Sequence, residues 1–410
     1  MTRPIFTSLS PNLEEDDVKI ACSLICKPTH WHQEEAVRTL EEEFMRRFPS
    51  QRAFAFATGR TCLFALLSQL NLQTDDEVLL QAYTCVAVPN PILWTKANPI
   101  YVDCERETLN LSVEDLRRKI TSKSRVLIIQ HTFGQPARLK ELLEIARAHH
   151  LFVIEDCAHA LGARYDGNLV GSFGDASFFS FGRDKVLSSV FGGMLLVKDP
   201  ALASKIAAYQ SSLPQPKKSW VFQQLLHPLL TSSAKKTYPL GIGKIILTLG
   251  RKTRLLSQPV EPQEKQGEAP SFVYYRFSGA LAELALHQLK KLERFQRHRT
   301  ELATHYTHAL KGSSFTLLST GSNTSPAWLR FTIQTPRAKE ILRDAKREQI
   351  HLGDWYRTPI APQGVNYERI CYYMCSNAEA IAKETVNLPT DIHITLADAD
   401  QIIQFLKRYV

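Results

Sequence analysis

The 410-residue chain has no apolar run approaching the ~20 residues that a membrane-spanning helix needs. Its start, MTRPIFTSLSPNLEEDD, lacks the apolar core of a secretory leader, so a cytoplasmic chain is expected. Metal-type cysteine spacing is also missing. Eight cysteines lie at 22, 26, 62, 85, 104, 157, 371 and 375, and no two show the C-x2-C spacing of zinc knuckles or thioredoxin-like sites. Cys22/Cys26 and Cys371/Cys375 are spaced C-x3-C. Reduced, buried thiols and no metal are the expectation. No internal repeat or low-complexity tract is present.

Acidic residues are absent from one basic stretch. From Lys217 to Arg254 there are eight lysines and arginines (Lys217, Lys218, Lys235, Lys236, Lys244, Arg251, Lys252, Arg254) and no Asp or Glu. The other 42 basic and 41 acidic residues nearly cancel, so the net charge of +9 is local and no nucleic-acid partner is expected. Two apolar pieces, VFQQLLHPLL at 221–230 and YPLGIGKIILTLG at 238–250, lie between these basic residues. Two readings fit: an amphipathic segment on an anionic membrane surface, or a solvated helical pair packed on its own domain or a partner subunit. The first places the protein peripherally at the inner face of the membrane.

What is present is ordinary for a soluble globular chain, with 44% hydrophobic and 22% charged residues. The length allows one large domain and a smaller one. From 53 to 197 short apolar strands alternate with helices: strands near 53–57, 76–81, 100–102, 125–130, 151–154 and 194–197. Residues 12–47 read as helical, and Ser112–Thr121 is a helix with Ser112 as its cap. The pattern predicts an α/β fold with a large, mostly parallel sheet covered on both faces. Ligands bind at the carboxyl ends of such strands, where Thr58-Gly59, Tyr83, Asp103, His131, Asp156, Ser180 and Lys185 all fall. Seven prolines punctuate 209–270, and regularity returns with a helix over Ser278–Leu310, a strand over Trp328–Thr335 and a turn at Asn387-Leu388-Pro389. The expected division is a large domain with an N-terminal helical arm at 1–209, an insertion at 210–270 and a smaller α+β domain at 271–410.

The chemistry concentrates in 151–197, LFVIEDCAHALGARYDGNLVGSFGDASFFSFGRDKVLSSVFGGMLLV. A carboxylate ends one strand, at Asp156, and Lys185 follows another. This pair suits a carbonyl cofactor with a basic ring nitrogen, such as pyridoxal phosphate: the lysine bonds the aldehyde and the aspartate keeps the nitrogen protonated. Ser180, five residues before Lys185, is placed to hold a phosphate. Strand, Thr58-Gly59-Arg60-Thr61 and helix form a second anion cradle in principle, although taken alone the turn is better explained as a helix cap, because glycine is sparse there.

With these residues the sequence resembles the sugar-nucleotide aminotransferases of the DegT–StrS type, pyridoxal-phosphate enzymes of fold type I. The resemblance rests on TG-x-x-x-L at 58–63, AYT at 82–84, HTFGQPA at 131–137, VIEDCAHALGA at 153–163, GSFGDASFFSFGRDK at 171–185, GG at 192–193, YRFSGALAELALHQLKKLERF at 275–295 and NLPTD at 387–391. It covers nearly the whole chain outside 210–270. It implies Lys185 as the lysine that bonds the cofactor and moves the proton, and Asp156 as partner of the ring nitrogen. Thr58, Gly59, Arg60 and Ser180 would line the phosphate site, with Tyr83, Cys85 and His159 near the ring. Arg276 would belong to a segment that family dimers send toward the neighbouring subunit's site. It further implies a homodimer, a keto-sugar nucleotide substrate and glutamate as amino donor. Three positions depart from the pattern. Cys85 stands where a stacking aromatic is common, so Tyr83 would substitute or the stack is lost. Tyr274 replaces an asparagine. His159 replaces a glutamine and could take up a proton. The dehydratase branch carries histidine at the lysine position, and Lys185 argues against it. Transamination of a non-sugar cyclic ketone, or a non-catalytic protein of the same fold, are the alternatives.

Overall fold

The structure is a computed structural model and describes residues 3–410. Its centre is a seven-stranded sheet of β1 (Arg52–Phe56), β2 (Glu77–Gln81), β3 (Asn98–Val102), β4 (Ser124–Gln130), β5 (Phe152–Asp156), β6 (Ala176–Ser180) and β7 (Gly193–Val197), in the order β1-β7-β6-β5-β4-β2-β3. β7 runs antiparallel to both its neighbours, and the other pairings are parallel. The strands are apolar throughout because both faces are covered. Successive side chains go to opposite faces: Leu79, Leu127, Ile129, Val153 and Leu196 join one core cluster, while Val78, Leu80, Val126, Ile128, Ile154 and Leu195 join the other.

Local chemistry sets the helix ends. α1 (Glu15–Ile25) and α2 (Glu35–Arg47) are two helices rather than one stretch over 12–47. Pro28 in the intervening loop has no N–H to continue a helix. α3 (Gly59–Ser68) starts at Thr58, whose Oγ1 accepts the Thr61 N–H at 3.0 Å. Ser112 caps Val113–Lys119 as expected, accepting from Asp115.

The insertion folds into α4 (Lys218–Thr237) and α5 (Ile242–Lys252), joined through Gly241 at φ 78°. α4 has no clean apolar stripe because its buried side includes Gln224, His227, Pro228 and Thr231. Beyond it, the expected long helix over 278–310 is broken into α6 (Gly279–Leu289) and α7 (Leu292–Leu310). At the break Lys291 Nζ meets Asp16 at 2.6 Å, Asp17 at 3.1 Å and Glu14 at 3.2 Å, tying the junction to the acidic start of α1. A small antiparallel sheet follows, β8 (Thr316–Leu317), β9 (Phe331–Gln334) and β10 (Thr385–Leu388) in that order. Asn387 and Leu388 are therefore strand residues, not a turn, and the strand stops at Pro389, which has no N–H for a ladder. Among the described residues no helix is long and apolar enough to cross a membrane.

One backbone contact pins the sheet to α3. A Cβ on Gly193, at the start of β7, would lie 2.6 Å from the Gly59 nitrogen and 2.7 Å from the Thr58 carbonyl carbon. Gly193→Ala is therefore expected to lower stability by about 1–3 kcal/mol, read as a fall in the urea midpoint with the m-value unchanged.

Candidate active site

A cavity of about 540 Å³ opens at the carboxyl ends of the parallel strands. Thr58, Gly59 and Arg60 reach it from the β1–α3 turn, Asp156 from the end of β5, and Ser180 and Lys185 from the end of β6 and the loop after it. Cys85 and His159 also border it. The structure thus brings together eight of the residues singled out in the sequence. Trp355 and Tyr356 close it from the loop ahead of β10, and Gln258, Pro259 and Lys265 close it from the end of the insertion.

Asp156 and Lys185 are both withdrawn from water, with opposite effects. Burial pushes the Asp156 carboxyl up from its ordinary value, against the Ala158 N–H, which donates to Oδ1 at 2.9 Å, and the charges of Lys185 and His131. Burial pushes the Lys185 amine down, with Arg330 adding to the effect and Cys85, Asp156 and Asp184 opposing it. Lys185 Nζ lies 5.5 Å from the Trp355 ring centre. Asp156 forms no ion pair among the described residues.

The anion end lies at the start of α3. The first-turn amides of Gly59 and Arg60 have no intrahelical acceptor, and the helix dipole favours an anion there. A Cβ on Gly59 would come within 3.1 Å of Ser180 Cβ, so glycine allows the two to converge. Ser180 Oγ accepts the Gly182 N–H at 3.3 Å and keeps its own hydrogen to donate. Arg60 offers less than its position suggests. Its guanidinium is engaged by the buried Glu264 and by the Pro259 carbonyl at 2.7 Å.

Several strand-end residues support the cavity from behind. Tyr83 is fully buried and its hydroxyl accepts the Tyr356 N–H at 2.7 Å. It does not line the cavity and so does not replace an aromatic at position 85; the aromatic surfaces at the cavity are Phe178, Phe191, Trp355 and Tyr356. Asp103 accepts the Asn377 and Ala378 amides at 2.9 Å each. His131 lies 3.2 Å from Glu155, whose carboxylate also takes the amides of Gly171, Phe173 and Gly174 at 2.7–2.8 Å. His131, Glu155 and Cys157 cluster within ligand distance, but those amides already occupy the carboxylate. Arg276 is also outside this cavity. It pairs with Glu34 at 2.6 Å and donates to the Ser211 carbonyl.

His159 is neutral, not a proton acceptor as its chemistry alone allows. Its Nδ1 accepts the Phe133 N–H at 3.2 Å, which leaves the proton on Nε2, 3.3 Å from the Tyr356 hydroxyl. Burial, then Lys185 and Arg330, hold it well below its ordinary 6.5.

The matching sequence model is that of the DegT/DnrJ/EryC1/StrS aminotransferase family, over residues 13–226 and 250–407. The chain belongs to this family. The GDP-perosamine synthase of Escherichia coli O157:H7 is 37% identical over 166 residues, 40% of this chain and 46% of the synthase's own length. The spore coat polysaccharide biosynthesis protein SpsC of Bacillus subtilis (strain 168) is 26% identical over 386 residues, 91% of this chain and 89% of that protein. The fold is that of Helicobacter pylori PseC, an aminotransferase involved in the biosynthesis of pseudoaminic acid, with a TM-score of 0.77 at 19% identity over 99% of each chain.

The family uses pyridoxal phosphate, and the cavity of this aminotransferase fits it. A buried carboxylate without a protein cation suits a protonated ring nitrogen. A desolvated amine suits the aldehyde, and a helix start beside a free hydroxyl suits the phosphate. Sequence reading missed Asp184, Arg330 and Trp355. Asp184 borders the cavity with Oδ1 unpartnered. Arg330 is 1% exposed, has Nε and Nη1 unpartnered and sits 5.2 Å over the Trp355 ring. The Arg183-Asp184 pair beside Lys185 was a visible signal, whereas nothing local marks Arg330 or Trp355.

The neutral state of His159 carries a sign. At pH below 6.5 the unfolded chain binds a proton that the folded aminotransferase refuses. Stability is therefore present above 6.5 and is lost as pH falls toward the depressed folded value. His159→Gln should flatten this acid limb, as measured by urea midpoints across pH 5–7.

Proposed function

We propose that this aminotransferase passes an amino group, with glutamate as donor, to the keto carbon of a nucleotide-linked sugar for glycan or secondary-metabolite biosynthesis. The observation that carries it is the shared cavity of buried Asp156 and Lys185. Pyridoxal phosphate bound there supplies an electron sink for charge released at the amino-bearing carbon. Asp156 keeps the ring nitrogen protonated, and its raised basicity strengthens that hold. Lys185 Nζ, with its pKa lowered, is the base that takes the donor's α-proton and returns a proton on the sugar side. Thr58, Gly59 and Ser180, with Arg60 through its backbone amide, would hold the phosphate. His159 donates from Nε2 toward Tyr356 and fixes the wall beside Trp355. Cys85, at the cavity wall, would leave room beside the ring with its small side chain, and Tyr83 steadies Tyr356.

The relative's name, GDP-perosamine synthase, supports a nucleotide-linked substrate. Lys265, Arg183 and Arg357 border the cavity with positive charge suited to a diphosphate. A homodimer, with Arg276 directed at the neighbouring cavity, and contact of 217–254 with a membrane surface complete the reading. The large domain ends near 209 and the small one begins near 271 in this scheme.

Lys185→Ala should abolish the visible absorbance of the lysine-bound cofactor and turnover together. Asp156→Asn should retain the cofactor and lose about 10²–10³-fold in kcat. The pH dependence of kcat, which reports the substrate complex in which Lys185 is released as an amine, should rise through a limb below lysine's ordinary 10.5. A panel of keto-sugar nucleotides and keto-cyclitols with glutamate reads the substrate. Turnover of cyclitols alone overturns the sugar assignment.

A further inference from the structure

The family model passes over residues 227–249, so the end of α4 and most of α5 are additions to the common fold. The end of α4 buries Pro228 and Ala234, but large apolar residues of α5 and of the turn before it do not face inward. Leu240 is 72% exposed, Ile245 59%, Leu249 54% and Ile242 48%. The helical positions 242, 245 and 249 follow i, i+3, i+7 and share one face. Glycines occupy the opposite face. Gly243 is buried, and a Cβ there would collide with the Ala234 carbonyl of α4; Gly250 is buried against Leu256. Small residues let α5 lie backbone-close on α4, and its large apolar side chains turn outward. This is the reverse of a core-packed amphipathic helix.

Charge surrounds this face. Seven of the eight basic residues between 217 and 254 are exposed; Lys235 is half-buried on the Ser10 carbonyl at 2.8 Å. Only Lys236 finds a carboxylate, Glu15 at 2.9 Å, among the described residues. A second copy of this chain is a poor occupant, because a two-fold contact would set these unpaired cations against their own images.

We propose that the Leu240–Leu249 face of α5 docks the enzyme on an anionic bilayer. Leu240, Ile242, Ile245 and Leu249 enter the headgroup boundary, and Lys244, Arg251 and Lys252 meet the lipid phosphates. The proposal rests on the reading of 217–254 as the membrane-facing segment.

The test is sedimentation of the full chain with phosphatidylcholine vesicles, with and without phosphatidylglycerol, at low and high salt. Binding to the anionic vesicles alone, weakening with salt, is expected. Ile245→Ser/Leu249→Ser should lose it. Lys244→Glu/Arg251→Glu/Lys252→Glu should weaken it about ten-fold or more. All variants should keep wild-type turnover in solution. No pelleting of wild type at low salt overturns both the segment and the face. Equal pelleting of wild type and the Ile245/Leu249 variant leaves the segment and overturns the face. A fall in oligomer size in that variant, without wild-type vesicle binding, assigns the face to a second copy and overturns the proposal.

Discussion

β7 lies between β1 and β6 and pairs with each through five residues. That placement puts two adjacent-strand spacings, about 10 Å, between the axes of β1 and β6. The turn after β1 bends back across β7 and brings Gly59 against Ser180 at the end of β6, and the rest of the site is arranged around this convergence. The anion cradle is shared by the start of α3 and Ser180, and the Lys185 loop continues from the same strand end. Gly193 closes the remaining distance by letting the β7 backbone touch Thr58 and Gly59.

Two neighbouring carboxylates show how environment divides labour. Glu155 and Asp156 are consecutive, equally hidden and opposite in behaviour. Glu155 is held below its ordinary value although burial pushes it upward, because His131 and backbone amides outweigh that push. Asp156 has one amide and distant cations, and its value rises. Glu155 is consumed in fastening the 171–174 turn, while Asp156 keeps bonding capacity for a ligand. Strand alternation sends them to opposite sides.

The sheet and the convergence of Asp156 and Lys185 on one cavity were legible from residue pattern, since doubly covered parallel strands are largely apolar and strand ends collect ligand residues. Thr58 and Ser112 announced their helices through capping chemistry. Three other features were hidden for specific reasons. Pattern tells which residues follow a strand but not which way they turn, so Tyr83, Asp103 and His131 were grouped with residues that face the cavity. The break at Lys290–Lys291 is held by charges on α1, nearly three hundred residues away in sequence. Trp355 reaches the cavity, and Arg330 the indole behind it, through the packing of the small sheet, which no local spacing encodes.

That packing has a mechanical side. Asn387 of β10 accepts the Trp355 N–H at 2.9 Å and donates to Thr332 of β9 at 3.1 Å. Trp355 is thus tied to the small sheet by that side chain and by the two backbone bonds that Gly353 and Asn387 exchange at 2.9 Å, and Arg330, one residue before β9, rests on the same indole. The same loop is also fastened on the other side, through the Tyr356 N–H on the Tyr83 hydroxyl at 2.7 Å and the Thr84 N–H on the Pro359 carbonyl at 2.9 Å, so the roof of the cavity is a strap anchored at both edges rather than a loose loop.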